Sequence, residues 1–517
     1  MKKTQVFMAT LVSLACLVIL TSCKKEEQGN GTQFRATMED CTDQHGKTTL
    51  SGTALNWVSG DRIAIYGTVG CGIYSAIPQA PATTAIFDNV SGETGNAPFR
   101  AYYPSTLTTD GVNVTLPAIQ TSTDGSLTNF PMYAESSNSE LAFKNLCGVL
   151  KLHLIKANTN ISAISITATN EINGQFTLGH NGDTPVLTYS ADGGTTTTLT
   201  CTTAQSIASG KDFYIYLPAG NYSGLQIKIV TDDSYYCVKT SNRAINVARS
   251  QYTLITLTDA DLTFRPIGSV SGLFTINADG DQVWFSQGNL QYQASTDTWR
   301  FAENQYGYVG SGNQNVSTTY NGWIDLYMWG TGNNPTLHDN HYSNYSTFVD
   351  WGVNAISNGG NQPNTWRTLS SSEWEYILNT RYNAANRYGF GTINGVEGLI
   401  ILPDTWSLPE GCSFTAGYNT ASHVWNTNSY TLSQWMAMET AGAVFLPTTG
   451  SCSWGYGMYW EWEYSYSSEY AGYYWSNTPY SNPAAYTLQV SSGICPAQVW
   501  GSNKNNSSPV RLVMDKD

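Results

Sequence analysis

Apolar and polar residues alternate through most of the first half of the chain. Every second side chain is apolar at residues 150–154, 164–168 and 225–229, whereas residues 213–217 are continuously apolar. A period of two places one face of a β-strand on a core, and the Gly, Asn, Asp and Thr clusters between these runs are typical of turns. From about residue 34 to residue 257 the pattern predicts short β-strands in sandwich packing.

The strand periodicity ends between residues 257 and 271, where Pro266 and Gly268 interrupt it. Pro and Gly at the end of a periodic run, followed by a change in composition, are typical of a domain boundary. We therefore predict a mainly β region at residues 35–258, a linker at residues 259–271 and a further domain at residues 272–517.

Two helix starts appear only after this linker. Ser370 is followed three residues later by Glu373, and Thr431 three residues later by Gln434. In such a capping box the two side chains accept hydrogen bonds from backbone N–H groups at the start of a helix. Gly442 is expected to end the second helix. Two helices among many short strands predict an α+β domain.

The chain opens with a secretion signal. Lys2 and Lys3 precede an apolar run at residues 6–20 that is too short to span a bilayer, and small residues lead from it to Cys23. We predict that residues 1–22 are a signal peptide.

Residues 20–23, Leu-Thr-Ser-Cys, resemble the lipobox of bacterial lipoproteins, in which the thiol is acylated before cleavage. The resemblance implies that Cys23 is lipidated and that residues 23–34 form a tether to the membrane. Residues 24–30 resemble a short signal that sends lipoproteins to the outer face of the outer membrane. The alternative for residues 20–23 is an ordinary signal peptide with an incidental Cys. The alternative for residues 24–30 is a solvated tether without a sorting signal.

The composition limits the classes of molecule that the protein can be expected to bind. The chain has 517 residues, too many for one core, with 12% charged residues and a net charge of −14. Nucleic acid is excluded as a partner, because phosphates are bound by clustered Lys and Arg and the sequence has no such cluster. No later segment is apolar enough to cross a membrane, so the lipid is the expected membrane attachment.

The sequence has ten cysteines, of which Cys16 and Cys23 belong to the leader and the lipidation site. The other eight form no Cys-x-x-Cys pair and none lies at ligand spacing from a His, so we expect no zinc site and no cofactor. Exported proteins can form disulfides, but the pairing is not derivable from the sequence.

The N-terminal half contains five motifs that, in this order, resemble the fimbrillin-like lipoproteins of type V pili. The resemblance implies two β-sandwich subdomains and a role as a pilus subunit. The matching segments are Trp57-Val58-Ser59-Gly60-Asp61-Arg62-Ile63, Phe99-Arg100-Ala101-Tyr102-Tyr103-Pro104, Leu116-Pro117-Ala118-Ile119-Gln120, residues 141–150 from Leu141 to Leu150, and Tyr216-Leu217-Pro218-Ala219-Gly220.

In that family a protease cuts after an Arg near the N-terminus and removes the first strand, and a neighbouring subunit then adds a strand of its own. The resemblance implies partners of this kind, joined by strand addition. Arg35, followed by Ala36, is the nearest candidate for the cut, and Arg62 is the alternative. Arg35 is equally compatible with a plain surface residue.

Residues 272–517 resemble a C-type-lectin-like fold shared by formylglycine-generating enzymes and the variable proteins of diversity-generating retroelements. We interpret most of the matching residues as fold residues, with buried Trp and Leu and a last strand pairing with the first. They are the segments 285–290, 299–303, 366–369, 373–376, 402–404, 443–447, 474–476 and 510–513, which include Trp299, Trp366, Trp374 and Trp475.

Aromatic residues are concentrated at residues 454–475, where 11 of 22 are Trp or Tyr and the rest are mostly Gly, Ser and Glu. Antibody loops have a similar bias, because Tyr and Trp give large contact areas at low entropy cost. The alternative is an aromatic hairpin packed on its own domain. The predicted ligand-binding residues are Trp454, Tyr456, Tyr459, Trp460, Trp462, Tyr464, Tyr466, Tyr470, Asn477, Tyr480, Asn482, Gln489, Gln498 and Trp500.

In the retroelement-diversified members, the variable positions follow the Tyr-Trp-Ser motif. The equivalent positions here are Asn477, Tyr480, Ser481, Asn482, Thr487, Gln489, Ser491, Ser492, Ile494, Cys495, Gln498, Val499, Trp500 and Ser502.

Catalytic motifs are missing from the sequence. Cys412, Cys452 and Cys495 lie in the last third, but nothing around them matches the copper site of formylglycine-generating enzymes. Gln362-Pro363-Asn364 resembles part of a lectin calcium loop without the Trp-Asn-Asp that should follow. We therefore expect a non-enzymatic protein.

The sequence as a whole predicts a surface lipoprotein at the outer membrane, acting in a fimbrium as the tip adhesin. Its C-terminal domain would bind a host, bacterial or phage ligand, either protein or glycan. The first alternative is a stand-alone surface lipoprotein that binds glycan or protein, and the second is an enzyme of the formylglycine-generating fold.

Overall fold

A computed structural model describes residues 33–516 except 44–54, 79, 242, 340–346, 418–427, 457–461, 468–470 and 492–498. The predicted signal peptide and Cys23 lie outside the described residues. Within the described part, no helix is both long and apolar enough to cross a membrane. The chain is mainly β, as the sequence predicts.

In the described part of the chain, twenty-two strands precede residue 267. They are β1 (Phe34–Met38), β2 (Thr42–Asp43), β3 (Arg62–Tyr66), β4 (Cys71–Ala76), β5 (Thr84–Gly92), β6 (Phe99–Tyr103), β7 (Asn113–Leu116), β8 (Ile119–Ser122), β9 (Met132–Ser136), β10 (Glu140–Asn145), β11 (Cys147–Leu154), β12 (Asn160–Thr167), β13 (Asn173–Asn181), β14 (Thr184–Gly194), β15 (Thr196–Ser206), β16 (Lys211–Pro218), β17 (Gly220–Tyr222), β18 (Gln226–Thr231), β19 (Tyr235–Thr240), β20 (Ile245–Val247), β21 (Gln251–Leu257) and β22 (Arg265–Pro266).

The first unit is a closed seven-stranded barrel, in the order β1-β10-β9-β6-β3-β4-β5, where the sequence predicts a sandwich. The barrel closes because β1 pairs in parallel with β10 and antiparallel with β5, so that one strand joins the two ends of a six-stranded sheet. The Trp57 ring lies in the core and makes edge-to-face contacts with Phe87, Tyr103 and Phe143.

The second unit packs the sheet β16-β11-β21-β2 against the sheet β22-β19-β18-β12-β15-β8, with the smaller sheet β14-β13-β7 beside them. The two larger sheets share one core, to which Leu152, Ile164, Phe213 and Ile229 contribute fully buried side chains. The period-two interpretation of these strands is therefore confirmed. His153 points outward, where its Nδ1 lies 2.6 Å from Asp212 Oδ1.

Barrel and second unit meet at an apolar cluster that includes Cys41, Tyr102, Phe130, Cys147 and Tyr216. Three early strands cross this junction, since β2 pairs with β21, β7 with β13 and β8 with β15. The two units therefore share strands that are distant in sequence.

The described residues of the C-terminal half form seventeen strands and two α-helices. They are β23 (Ser269–Thr275), β24 (Gln282–Ser286), β25 (Leu290–Gln293), β26 (Thr298–Phe301), β27 (Leu326–Tyr327), β28 (Arg367–Thr368), α1 (Ser371–Glu375), β29 (Tyr388–Ile393), β30 (Val396–Ile401), β31 (Asn428–Tyr430), α2 (Leu432–Thr440), β32 (Val444–Pro447), β33 (Ser451–Tyr456), β34 (Trp462–Ser467), β35 (Ala471–Pro479), β36 (Ala484–Ser491), β37 (Val499–Asn503), β38 (Ser508–Pro509) and β39 (Leu512–Asp515).

Both predicted helix starts are confirmed. Ser370 and Thr431 each accept a hydrogen bond from the N–H three residues later, and the side chains of Glu373 and Gln434 complete both capping boxes. A π-helical turn at Tyr376–Thr380 continues α1.

Tryptophan side chains fill the core of this half, as predicted. Trp366 and Trp475 lie in one cluster with Trp299, and Trp374 lies in a neighbouring one. The last strand, β39, pairs with β24 and β28 rather than with the first strand of the domain. The first strand, β23, instead takes the outer edge of β24, because its hairpin with β24 is the more local pairing.

Candidate functional sites

Strand β1 completes the barrel, and its alternate side chains face the barrel core. Phe34 and Ala36 point inward and are fully buried, and the Phe34 ring makes edge-to-face contacts with Tyr74 and Phe99 at 5.0 and 4.9 Å. Burying an aromatic side chain of this size stabilises the fold by about 1.5–3 kcal/mol. The barrel core therefore depends on the first described strand of the chain.

Arg35, the candidate maturation site, lies on the outer face of β1. Its side chain is 56% exposed and lies 4.0 Å from the carboxylate of Glu140. Its backbone is paired on both sides, opposite Glu140 in β10 and Ile86 in β5. The Arg35 side chain is thus accessible, whereas the Arg35-Ala36 peptide bond is part of the sheet. Arg62, the alternative, is an exposed residue at the start of β3.

Glu39 follows β1 and forms an ion pair with Arg249, 210 residues away. Arg249 donates from Nη1 to Glu39 Oε2 at 2.6 Å and from Nη2 to Glu39 Oε1 at 3.0 Å. The Asn145 N–H donates to Glu39 Oε2 at 2.8 Å. Burial alone would raise the pKa of the Glu39 carboxyl, but hydrogen bonds from Arg249, Asn145 and Ser250 lower this pKa below its ordinary value.

Beyond Glu39 the chain enters the second unit. Cys41 is buried in the junction cluster, and β2 pairs in parallel with β21. Residues 33–43, called here the bridging segment, therefore contact both units: β1 lies in the barrel, Glu39 at the junction and β2 at the edge of a sandwich sheet.

A cleft of about 650 Å³ lies beside the end of β1, between the barrel and the segment that leads to β9. Met38, Val58, Tyr103 and Phe130 are among its lining residues. At its wall Asp61 accepts hydrogen bonds from the Val58 N–H at 2.8 Å and from the Tyr103 hydroxyl at 3.1 Å. Burial raises the pKa of Asp61.

The predicted aromatic site lies on the hairpin of β33 and β34, where Ser451 pairs with Ser467 and Tyr456 with Trp462. The side chains of Tyr456, Trp462 and Tyr464, and of Trp500 on β37, lie outside the described part of the structure. Tyr459, Trp460, Tyr470 and Gln498 lie outside the described residues altogether.

Two aromatic side chains of this hairpin are described, and both contact their own domain. The Tyr466 hydroxyl donates to the Thr449 carbonyl at 2.9 Å. The Trp454 ring lies parallel to the His338 ring, with 6.4 Å between centroids. For these two residues the contacts agree with the alternative of a hairpin packed on its own domain.

The other predicted binding residues lie in β35 or after it, and their environments differ. Tyr480 is 59% exposed and Asn482 is also exposed, and both lie in the β35–β36 connection. Asn477 instead donates to the Thr368 carbonyl at 3.2 Å, and Gln489 donates to the Tyr473 hydroxyl at 3.3 Å. Among the described members, the structure brings only Tyr480 and Asn482 together at the surface.

Position 487 differs from its neighbours among the proposed variable positions. Thr487 is fully buried in β36 and pairs there with Trp475 and Trp500. A buried strand position tolerates few side chains, so Thr487 is a poor candidate for a variable position.

Asp325, which the sequence did not single out, lies fully buried below this hairpin. Its Oδ2 accepts from the Val309 N–H and its Oδ1 from Asn313 Nδ2, both at 2.8 Å. Burial raises its pKa to about 6. No motif marks this residue in the sequence, because its partners come from the 3-10 helix at Gly310–Asn315 and the residue before it.

Within the described part of the chain, no group of three or more His, Cys, Asp or Glu side chains could hold a metal ion. Described cysteines that occur as free thiols include Cys41, Cys147, Cys201 and Cys237, all of which are buried. Burial raises the pKa of the Cys41 thiol to about 12, so this thiol is not activated as a nucleophile.

Several solved structures with cell-adhesion or fimbrial descriptions are similar to this chain. A proposed cell adhesion protein from Bacteroides ovatus has 12% identity and a TM-score of 0.31, over 45% of this chain and 94% of its own. A fimbrial protein from Bacteroides ovatus has 11% identity and a TM-score of 0.26, over 94% and 99%. The tip fimbrial protein Mfa3 from Porphyromonas gingivalis has 9% identity and a TM-score of 0.22, over 45% and 99%.

No protein-family model and no curated protein matches this chain. A likeness with TM-scores of this size assigns neither a fold nor an activity to this chain.

Proposed function

We propose that this protein is a surface lipoprotein that serves as a pilus subunit and is joined to its neighbour by strand addition. The observation that supports this is the bridging segment. It is the first described part of the chain after the predicted tether, and it fills a slot between β5 and β10 that is open once β1 is absent. A slot with unpaired backbone groups and an apolar floor accepts a replacement strand.

We further propose a tip position. A stalk subunit must supply a strand to the next subunit, but β39 lies between β24 and β28 inside a sheet and cannot be given up without breaking that sheet. The C-terminal domain would then be presented at the end of the pilus, where Tyr480 and Asn482 are accessible to a host, bacterial or phage ligand.

The experiment that tests subunit function is N-terminal analysis of the protein recovered from cells, separately from the pilus fraction and from the membrane fraction. We expect acylated Cys23 in the membrane fraction and an N-terminus after Arg62 in the pilus fraction, because a cut after Arg35 would leave Ala36 to Met38 of β1 in the slot. Recovery of acylated Cys23 alone, with no association with pilus polymers, would contradict the proposal.

A stand-alone surface lipoprotein is the second candidate, and one observation favours it. The bridging segment is held by a strand with one buried face and by a partly buried ion pair, as a permanent N-terminal strand would be. The two candidates make opposite predictions for the pilus fraction described above.

The ligand-binding role is tested by substitution at the surface. An array of glycans and surface proteins would be probed with the protein and with the variant Tyr480→Ser, using Tyr486→Phe as the matched control. Unchanged binding of the Tyr480→Ser variant would contradict a role for this connection.

A further inference from the structure

The carboxylate of Glu39 occupies a site made by residues outside the bridging segment. Among the donors to this carboxylate are the Asn145 N–H, at the end of β10, and the Nη1 and Nη2 atoms of Arg249. The groove is defined here as the slot between β5 and β10 together with the Glu39 site, and the acceptor as the chain without its bridging segment. If another strand replaced the bridging segment, these donors would remain on the acceptor and would face the strand that entered the groove.

Arg249 would also keep its orientation. Its Nη1 atom donates to the Asn145 carbonyl at 2.8 Å and to the Ser250 hydroxyl at 3.0 Å, and both partners belong to the acceptor. A guanidinium held in this way is preorganised for a carboxylate, which it binds through two parallel hydrogen bonds.

We infer that Arg249 selects the strand that fills this groove: the incoming strand must carry a carboxylate at the place of Glu39. The inference rests on the proposed strand addition and specifies its partner. The occupant is an extended segment of another chain with an aromatic residue, a small residue and an apolar residue at alternate positions, followed directly by an acid, as in Phe34, Ala36, Met38 and Glu39 of the bridging segment.

The alternation follows from the barrel, because only every second side chain of a strand faces its core. The acid follows from charge complementarity. A neutral residue would leave the partly buried Arg249 without its counter-charge, and a Lys would add a second cation beside it, so each should weaken binding.

The test uses the exported chain, residues 24–517, with a recognition site for a sequence-specific protease engineered at residue 50. After cleavage, the chain is incubated just below its unfolding midpoint with an excess of fluorescein-labelled peptides of residues 33–43, so that these peptides replace the severed natural segment. Three peptides are compared: the natural sequence, Glu39→Gln and Glu39→Lys. The readout is fluorescence anisotropy after return to 25 °C. We expect the natural peptide to bind at least about tenfold more tightly than the Glu39→Gln peptide, because the neutral side chain removes one partner of a partly buried charge pair.

Charge reversal on the acceptor gives the decisive comparison. In an Arg249→Glu chain we expect the Glu39→Lys peptide to become the preferred one. Arg243→Glu is the matched control, because Arg243 is exposed and lies six residues before Arg249. This variant should rank the peptides as the natural chain does. If Arg249→Glu does not fold, Arg249→Gln replaces it and should bind the natural and Glu39→Gln peptides equally.

The outcomes separate the inference from the proposed function. Equal binding of the natural and Glu39→Gln peptides to the natural chain would overturn the role of Arg249 and leave strand addition standing. Binding of none of the peptides would overturn strand addition and, with it, this inference.

Discussion

The groove of the N-terminal half and the aromatic hairpin of the C-terminal half are both candidate binding surfaces, and they differ in what covers them. The groove holds the bridging segment, so each of its donors and apolar positions has a visible partner, such as Glu39 for Arg249. The hairpin presents Trp454 and Tyr466, and the contacts described for both are made with their own domain.

The difference teaches how far composition can indicate a binding surface. The hairpin was predicted because Trp and Tyr are abundant there, but abundance does not distinguish a paratope from a packed hairpin. The groove has no unusual composition, yet its register and its ion pair specify the residue types of an occupant. The segment that occupies the groove therefore says more about the chemistry of a partner than the aromatic composition of the hairpin does.

The largest effect is expected from emptying the groove of its aromatic side chain. Phe34→Ala leaves a cavity among Tyr74 and Phe99 and should lower the free energy of unfolding by about 3–5 kcal/mol. Urea denaturation followed by tryptophan fluorescence measures this change. The control is Arg35→Ala on the exposed face of the same strand, which should stay within about 0.5 kcal/mol. Equal effects of the two substitutions would contradict the placement of β1.

A second effect is expected at Asp325, the buried carboxyl below the aromatic hairpin. The pKa of Asp325 is about 6 in the folded protein and near the ordinary value of 3.8 when the chain is unfolded. The folded state therefore holds the Asp325 proton more tightly between these values, and the contribution of Asp325 to stability falls as the pH rises from about 4 through 6. The shift corresponds to roughly 3 kcal/mol.

Because other carboxyls titrate in the same range, this prediction is read as a difference from Asp325→Asn. Thermal unfolding between pH 4.5 and 7.5 should show the natural chain losing stability relative to the variant as the pH rises. A difference that does not change with pH would show that Asp325 is not buried as an acid.

Local features of this fold could be predicted from the sequence, and non-local ones could not. The buried positions at Leu150 and Leu152 follow from period two, and the starts of α1 and α2 follow from Ser370 and Thr431, because each signal lies within a few residues. Family resemblance, rather than periodicity, indicated the buried Trp366 and Trp475.

Barrel closure depends on pairings that no local pattern records. Arg35 lies opposite Glu140, 105 positions later, and Glu39 meets Arg249 after 210. A lone Glu and a lone Arg at such a separation carry no signal in one sequence, which is why the groove was predicted only through the family and the ion pair was missed. Asp325 was missed because nothing in the sequence marks a carboxyl as buried.

An intermediate effect is expected at the ion pair. Glu39→Gln leaves Arg249 without a counter-charge, and because both side chains are partly exposed the loss should be about 1–3 kcal/mol. The lowered pKa of Glu39 means that its contribution is present above the unfolded value of 4.5 and is lost as the pH falls through the folded value. Stability measured at pH 7 and pH 3 should therefore differ less in Glu39→Gln than in the natural chain. An unchanged pH dependence would contradict the pairing.

The smallest effects are expected at the helix caps. Ser370→Ala and Thr431→Ala should each cost about 1 kcal/mol, since each removes the acceptor for an N–H at a helix start. Ser433→Ala, on the exposed face of α2, is the control and should change the free energy of unfolding little.

Combining Thr431→Ala with Glu39→Gln tests whether the groove and the C-terminal domain contribute to stability independently. The two sites share no partner in the described structure, so their losses should add within about 0.5 kcal/mol. A larger deviation would show that the groove and the C-terminal domain are energetically coupled.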